Sequence, residues 1–324
     1  MLSDQFGRKV NYLRVSVTDR CNLRCHYCIP PDGVHLKRHE DLLSFEEIEV
    51  IVRAAAELGV NKLRLTGGEP LLRKDFPALA KRLAAVEGIS DLALTTNGLL
   101  LGPLAAELKA AGIRRVNVSL DTLKPDRFQQ MTGSGQWQQA REGFEEALRS
   151  GFEQVKLNVV VIAGYNDDEV DDFVGYVMDK DLQLRFIEFM PVGNRYWKPG
   201  MTVPSKQLIE RIAQKTQIVS LPPVKNSLAE EYQILGSRST LGFISPMSHP
   251  FCRGCNRLRL TADGYLKPCL ASKYEVNIKV PVRAGHRGNE LRRVFYEAMR
   301  LKPRAHRMDQ GPSDDGRTMA EVGG

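Results

Sequence analysis

The chain lacks any apolar run near the roughly 20 residues that a membrane-spanning helix needs, so an integral helical membrane protein is not expected. Its first residues, Met1-Leu2-Ser3-Asp4, are polar and carry no hydrophobic core of an export signal, so a cytoplasmic protein is expected. No run of basic residues interleaved with aromatics is present, which speaks against a nucleic-acid groove. Repeats and low-complexity tracts are missing too. A net charge of +7 is mild, and it suits an anionic substrate or a basic solvated surface equally well. Cysteine is sparse, with 6 residues in 324. A long chain with no export signal, its thiols grouped in two sets, favours metal or cluster ligation in a reducing compartment over disulfides. Hydrophobic content of 42% and charged content of 26% describe an ordinary globular chain with ample core, as one large domain or two modest ones.

What is present begins with a loop. An alternating, strand-like stretch, Tyr12-Leu13-Arg14-Val15-Ser16-Val17, leads into Cys21-Asn22-Leu23-Arg24-Cys25-His26-Tyr27-Cys28. A complete [4Fe–4S] cube takes four ligands, usually thiolates, so three local cysteines leave one iron open to a non-protein ligand. A zinc site closed by His26 or His35, or buried free thiols, remains the alternative on spacing alone.

Cys-x3-Cys-x2-Cys with an aromatic before the last cysteine resembles the signature of the radical S-adenosylmethionine (radical SAM) superfamily. That resemblance implies an open iron that chelates the cofactor's methionyl group and a reduced cluster that cleaves it to a 5′-deoxyadenosyl radical. The protein then binds, orients and excludes side reactions.

Further along, Ser44-Phe45-Glu46-Glu47 reads as a capping box opening a helix to about Leu58. Lys62-Leu63-Arg64-Leu65-Thr66 reads as a strand ended by Gly67-Gly68-Glu69-Pro70. Further helices are predicted from near Asp75, Pro103, Gln136 and Asp167, and strands over 91–95, 116–120, 155–161 and 184–189. Strand–helix alternation argues for parallel βαβ units. Six such units fall short of an eight-stranded barrel, so an incomplete (β/α)6 TIM-type barrel is expected, its lateral opening covered by a C-terminal region. The division falls at 1–199 and 200–324. The second region looks irregular apart from a helix near 205–215, and its end, from about Lys302, looks polar and mobile. In such barrels ligands sit on the loops at the strands' C-terminal ends, where Cys21–Cys28, Gly67–Pro70, Thr95–Gly98, Ser119–Asp121 and Met190 all fall.

The remaining cysteines form Cys252-Arg253-Gly254-Cys255, followed by Cys269. A zinc knuckle completed by His249 is one reading; a second [4Fe–4S] cluster whose open iron anchors substrate is the other. Arg257 and Arg259 alternate along a predicted strand and so face one side, which suits phosphate oxygens. Arg14, Arg64 and Lys156 are cations inside apolar strand patterns, each costly to bury unpaired.

Together these residues resemble the family of molybdenum cofactor biosynthesis protein A, the GTP 3′,8-cyclases, over nearly the whole chain. The paired cysteine motifs, Asn256-Arg257-Leu258-Arg259 and the terminal Gly323-Gly324 carry the resemblance. It implies that Cys21, Cys25 and Cys28 hold the radical-generating cluster, and that Cys252, Cys255 and Cys269 hold one contacting the guanine of GTP. It implies cofactor contacts at Tyr27, Gly68, Ser119 and Met190, and GTP contacts at Arg14, Arg64, Thr95, Lys156, Arg257 and Arg259. Lys62 (toward substrate) and Arg185 (toward catalysis) are further basic residues it places near the site. Gly323 and Gly324 would enter the pocket and assist catalysis. The implied product is 3′,8-cyclo-7,8-dihydro-GTP, made by a lyase that needs a reductant and passes its product to cyclic pyranopterin monophosphate synthase. The family is often dimeric. The rivals are a different radical SAM enzyme with an auxiliary cluster, such as a peptide maturase, and a non-enzymatic zinc or RNA-binding module.

Overall fold

In the computed structural model the described residues are 1–30, 33–193, 196–224, 227–311 and 316–323. Six parallel strands form the centre: β1 (Tyr12–Ser16), β2 (Lys62–Thr66), β3 (Asp91–Thr96), β4 (Arg115–Ser119), β5 (Gln154–Val161) and β6 (Gln183–Glu188). Helices α1 (Phe45–Glu57), α2 (Phe76–Ala84), α3 (Leu101–Ala110), α4 (Pro125–Thr132), α5 (Trp137–Arg149), α6 (Val170–Val177) and α7 (Ser205–Ala213) follow them. The expected capping box opens α1: Glu47 N donates to Ser44 Oγ at 3.2 Å and Ser44 N to Glu47 at 2.8 Å, a device of about 1 kcal/mol.

The C-terminal region differs from expectation. It supplies β7 (Ile218–Ser220), β8 (Ala229–Ile234), β9 (Thr240–Ile244), β10 (Arg257–Leu260), β11 (Tyr265–Lys267) and β12 (Val276–Asn277). The sheet runs β12-β11-β10-β1-β2-β3-β4-β5-β6-β9-β8-β7. Both flanks of the six-stranded core are thus extended by parallel neighbours, β10 beside β1 and β9 beside β6, and the sheet stays open. Several of these strands are too short or too polar for a period to show, Ala229-Glu230-Glu231-Tyr232 above all. Helices α8 (Lys279–Arg283), α9 (Asn289–Arg300) and α10 (Met319–Val322) complete the chain. Helix α9 was not predicted, although Leu291, Phe295, Ala298 and Met299 recur at helical spacing and are buried. Helix α4 was missed as well, with Pro125 at its start and Gly133 left-handed at its end as its local signals.

Strand alternation sets the two faces. Leu13, Val15, Leu63, Leu65, Leu94 and Leu184 are fully buried on the helix-covered side, each contributing roughly 1.5–3 kcal/mol. The opposite, inward positions are mostly polar, Arg14, Arg64, Thr95, Asn117, Lys156 and Arg185 among them, which prepares a site rather than a filled core. Among the described residues no helix is long and apolar enough to cross a membrane.

Candidate active site

The loop after β1 is held by its neighbours. Arg24 N donates to Thr132 O at 2.8 Å, and Cys28 N closes a turn on Cys25 O at 2.9 Å. Gly68 N and Glu69 N donate to Thr18 O and Arg20 O at 2.9 and 2.8 Å. A Cβ at Gly68 would lie 2.4 Å from Arg20 O, so this glycine is needed first for close approach to the cysteine loop's own backbone. The buried Glu69 carboxylate accepts from Thr96 Oγ1 (2.8 Å), Asn97 N (2.7 Å) and Leu71 N (3.0 Å). Asn97 Nδ2 in turn donates to Asn22 Oδ1 at 2.7 Å, tying the loops after β1, β2 and β3 together.

The chemistry of the three thiols fits a bound cationic cluster. Burial, with Glu69 adding repulsion, pushes the Cys21 thiol up to about 11. Burial and the neighbouring Cys28, Asp121 and Cys21 push Cys25 well up. Burial, then Cys21 and Asp121, push Cys28 to about 12, partly offset by the Ala320 backbone N–H of the tail. Three crowded thiols of this kind resist ionising unless a positive group holds them. Among the described residues no group of three or more His, Cys, Asp or Glu is arranged to hold a single metal ion, whereas in a cube each cysteine binds a different iron and the thiols need not converge on one point. The His26 ring is stacked on Tyr196 at 5.7 Å.

Tyr27 donates its hydroxyl to Asp121, which also accepts from Val160 N at 2.8 Å. Burial raises Asp121 to about 6. Beside them opens an apolar slot lined by His26, Tyr27, Met131, Ile162, Phe189 and Tyr196. His26 and Tyr27 come from the cysteine loop, Met131 from α4, Ile162 from just after β5, and Phe189 and Tyr196 from the stretch after β6, so no spacing in the sequence announces the slot. Ser119 ends β4, and Met190 follows β6 by two residues, both at the cysteine-loop end of the parallel strands.

Register brings the basic residues to one face. Arg14 pairs with Arg64 on one side and Arg259 on the other; Tyr12 pairs with Lys62 and Arg257. Across β3 to β6, Thr95 faces Asn117, Asn117 faces Lys156, and Asn158 faces Arg185. Arg64 donates to the Tyr12 hydroxyl and, at 3.3 Å, to Thr95 Oγ1. Lys156 Nζ and Arg185 Nε share Gln183 Oε1 at 2.9 and 2.7 Å. Tyr12, unassigned from sequence, lies beneath two guanidiniums, with the Arg257 and Arg64 carbons 5.6 and 5.8 Å from its ring centroid.

The potential of this face is strongly positive. Burial, then Arg185 and Arg64, lowers Lys156 to about 6. Burial and Arg64 lower Arg185 to about 9, and burial and Arg257 lower Arg259 to about 10. Burial acts to raise Tyr12, yet Arg64, Arg14 and Arg257 outweigh it and bring the phenol down to about 8. A polyanion is the ligand that relieves all of these at once.

The second cysteine set does not share the strand-end location of the first. Tyr12 is level with Arg257, so Cys255 sits two residues below the start of β1, at the strands' N-terminal end. Strands rise about 3.3 Å per residue, so the two sets are separated along β1 by on the order of 20 Å. The cationic face lies between them. The β10–β11 hairpin, with Arg259 opposite Lys267, returns the chain toward Cys269. Burial acts to raise the Cys255 thiol, but Lys302 and Arg257 outweigh it and the net shift is downward. Burial raises Cys269. The N-terminal segment, without a role in the sequence reading, also serves this set: Arg8 Nη1 donates to Cys252 O at 2.8 Å and Nη2 to Pro303 O at 2.6 Å.

The expected mobile tail is instead docked where it is described. Arg317 spans Asp263 (3.1 Å) and Glu275 (2.7 Å). Thr318 and Glu321 form a capping box that opens α10, whose Ala320 and Val322 are buried. Arg14 Nη2 donates to Gly323 O at 3.0 Å and Arg259 Nη1 to Val322 O at 3.5 Å. The Gly324 assignment lies outside the described residues.

Residues 15–177 match the model of the radical SAM superfamily, and residues 182–308 match the model Molybdenum Cofactor Synthesis C. A GTP 3′,8-cyclase of Moorella thermoacetica is 47% identical over 324 residues, covering 100% of both chains. One from Pelotomaculum thermopropionicum is 46% identical over 326 residues, again covering 100% of both. Among solved structures, Streptococcus suis SuiB bound to its precursor peptide SuiA superposes with a TM-score of 0.60 at 16% identity. That superposition covers 81% of this chain and 60% of the other, and it speaks for the fold alone.

Proposed function

This chain belongs to the GTP 3′,8-cyclase family of the radical SAM superfamily, and we propose how its own residues divide that family's work. It is a lyase that converts GTP to (8S)-3′,8-cyclo-7,8-dihydroguanosine 5′-triphosphate, the first step of molybdenum cofactor biosynthesis. Two [4Fe–4S] clusters and S-adenosylmethionine are its cofactors. When bound, they supply the one-electron cleavage that opens the reaction at the ribose.

Cys21, Cys25 and Cys28 hold the cofactor-cleaving cluster, and Cys252, Cys255 and Cys269 hold the second, next to the nucleobase. The arrangement that carries this reading is the continuous cationic face between two thiol sets at opposite strand ends. It is long enough for a nucleoside triphosphate to reach from one set toward the other. Arg14, Lys62, Arg64, Lys156, Arg257 and Arg259 bind the substrate, Thr95 orients Arg64, and Arg185 holds charge near the reacting ribose. Tyr27, Gly68, Ser119 and Met190 form the cofactor side, with Asp121 fixing the Tyr27 hydroxyl. Gly323 and Gly324 assist catalysis. Residues 1–199 form the barrel unit and 200–324 the substrate unit, joined through shared sheet edges. A cytoplasmic reductant and a separate cyclic pyranopterin monophosphate synthase stand before and after the reaction.

The test is anaerobic reconstitution with iron and sulfide, followed by S-adenosylmethionine, reductant and GTP. We expect 5′-deoxyadenosine and cyclised nucleotide in equal amounts. Deoxyadenosine alone would overturn the substrate; neither product, from a chain holding both clusters, would overturn the whole assignment.

A binding prediction follows from Lys156. Its amine is held near 6 by burial and by Arg185, Arg64 and Arg115, with Glu231 opposing, so it is mostly uncharged at neutral pH. A triphosphate beside it restores the ammonium form. GTP binding should therefore take up a proton at neutral pH and weaken as pH rises above about 6. Calorimetry in buffers of different ionisation enthalpy reads the uptake directly, and Lys156→Met should remove it.

A further inference from the structure

Lys302 opens the stretch that the sequence marks as polar and mobile, yet it is 2% exposed. Its Nζ donates to Arg257 O at 2.7 Å and Pro268 O at 2.7 Å, and it stands 3.6 Å from Cys255 Sγ. An ammonium carries three N–H groups, and these three acceptors use them all. No carboxylate among the described residues pairs with it. A buried cation without a counter-charge is costly, so the negative group that balances it must lie close by. Among the described residues the one candidate it touches is the sulfur of Cys255, a member of the second cysteine set. Its partners also span that set: Cys255 itself, Arg257 two residues beyond, and Pro268 immediately before Cys269.

We propose that Lys302 is the positioning residue of the second cluster, gathering the segments that carry Cys255 and Cys269 and supplying the fixed positive charge that raises the cluster's reduction potential. This rests on the reading that Cys252, Cys255 and Cys269 hold a cluster. The physical basis is direct. Reduction adds an electron to the cluster, and a positive charge with an N–H aimed at a ligand sulfur stabilises the reduced form. The same N–H bonds keep the β10–β11 hairpin closed on the thiols. Arg8 grips Cys252 O from the other side, so the set is held from both chain ends.

The experiment is a redox titration followed by electron paramagnetic resonance on the full-length chain, with Cys21, Cys25 and Cys28 replaced by serine so that one cluster reports. Lys302→Met keeps length and removes charge; Lys302→Gln removes charge but keeps N–H donors. We expect the Met variant to reduce with an equilibrium at least tenfold less favourable, about 59 mV more negative for one electron. The Gln variant should fall between. A cluster of unchanged potential in the Met variant overturns the proposal. Where a variant fails to retain the cluster, iron is counted with the first set restored. Selective loss of the second cluster, leaving about four iron per chain, supports Lys302 as its holder. Loss of both clusters overturns that role and makes Lys302 a folding residue. Should the chain with Lys302 intact hold no iron in the serine background, the failure lies with the assignment of the second cysteine set itself.

Discussion

Cys25→Ala should reduce 5′-deoxyadenosine release below detection, whereas Arg257→Ala should leave cofactor cleavage capacity intact and raise the KM for GTP on the order of 10–100-fold. Cys25 is the central thiol of the first loop; its neighbours Cys21 and Cys28 crowd it, and backbone bonds to Thr132 and Met131 fix its turn. Two remaining thiols do not retain a cube through turnover, so the effect is all-or-none. Arg257 lies at the other strand end, with its guanidinium carbon 5.6 Å from the Tyr12 ring centroid and 6.0 Å from that of Phe251. Removing it deletes charge-assisted bonds of about 1.5–3 kcal/mol to a bound phosphate and spares the first loop. Iron content and deoxyadenosine yield in the absence of GTP separate the two variants. Equal loss of cleavage in both would contradict the division of labour between the strand ends.

How much of this was readable from residues alone depends on sequence separation. The first cysteine loop, the capping box at Ser44 and the alternating Lys62–Thr66 strand are local patterns, and the structure places each of them as read. Arg14, Arg64 and Lys156 were legible as misplaced cations because alternation assigns a strand residue to a face. The register that aligns Arg14 with Arg259 was not, since it joins residues from the two ends of the chain. For the same reason the second cysteine set was placed without its level along the barrel, which depends on β10 pairing in parallel with β1. Lys302, Arg8 and Arg317 were hidden by composition. A basic residue in a polar stretch reads as solvated, and only the acceptors folded around it, Pro268 O, Cys252 O or the Asp263 carboxylate, show otherwise. Tyr12 was missed because an aromatic in a strand is an ordinary packing residue until arginines are found stacked on it.

Gly323→Ala should cut the yield of cyclised nucleotide on the order of 100-fold while leaving the melting temperature nearly unchanged. Gly323 has φ +80°, and a Cβ there would lie 2.4 Å from Thr66 Oγ1 and 3.1 Å from Ser16 Cβ. The left-handed backbone alone costs an alanine about 1 kcal/mol, and the contact with β1 and β2 adds a clash that moving α10 relieves. Such movement withdraws the Gly323 and Val322 carbonyls from Arg14 and Arg259, and the Ala320 amide from Cys28. Those are groups from both sides of the proposed site, so the tail touches the substrate-side arginines and the first cysteine loop together. A guanidinium has five N–H donors, so Arg14 and Arg259 can hold a tail carbonyl and a phosphate oxygen at once. Stability is spared because the anchor lies upstream, where Arg317 grips Asp263 and Glu275. Gly316→Ala is the control: its φ is +70°, but a Cβ there meets nothing within 4 Å, so it carries the backbone strain without the clash. Near-normal product from Gly316→Ala beside a large loss from Gly323→Ala assigns the effect to the contact with Ser16 and Thr66. Equal loss in the two variants would mean that tail conformation, and not its seat between β1 and β2, controls the reaction.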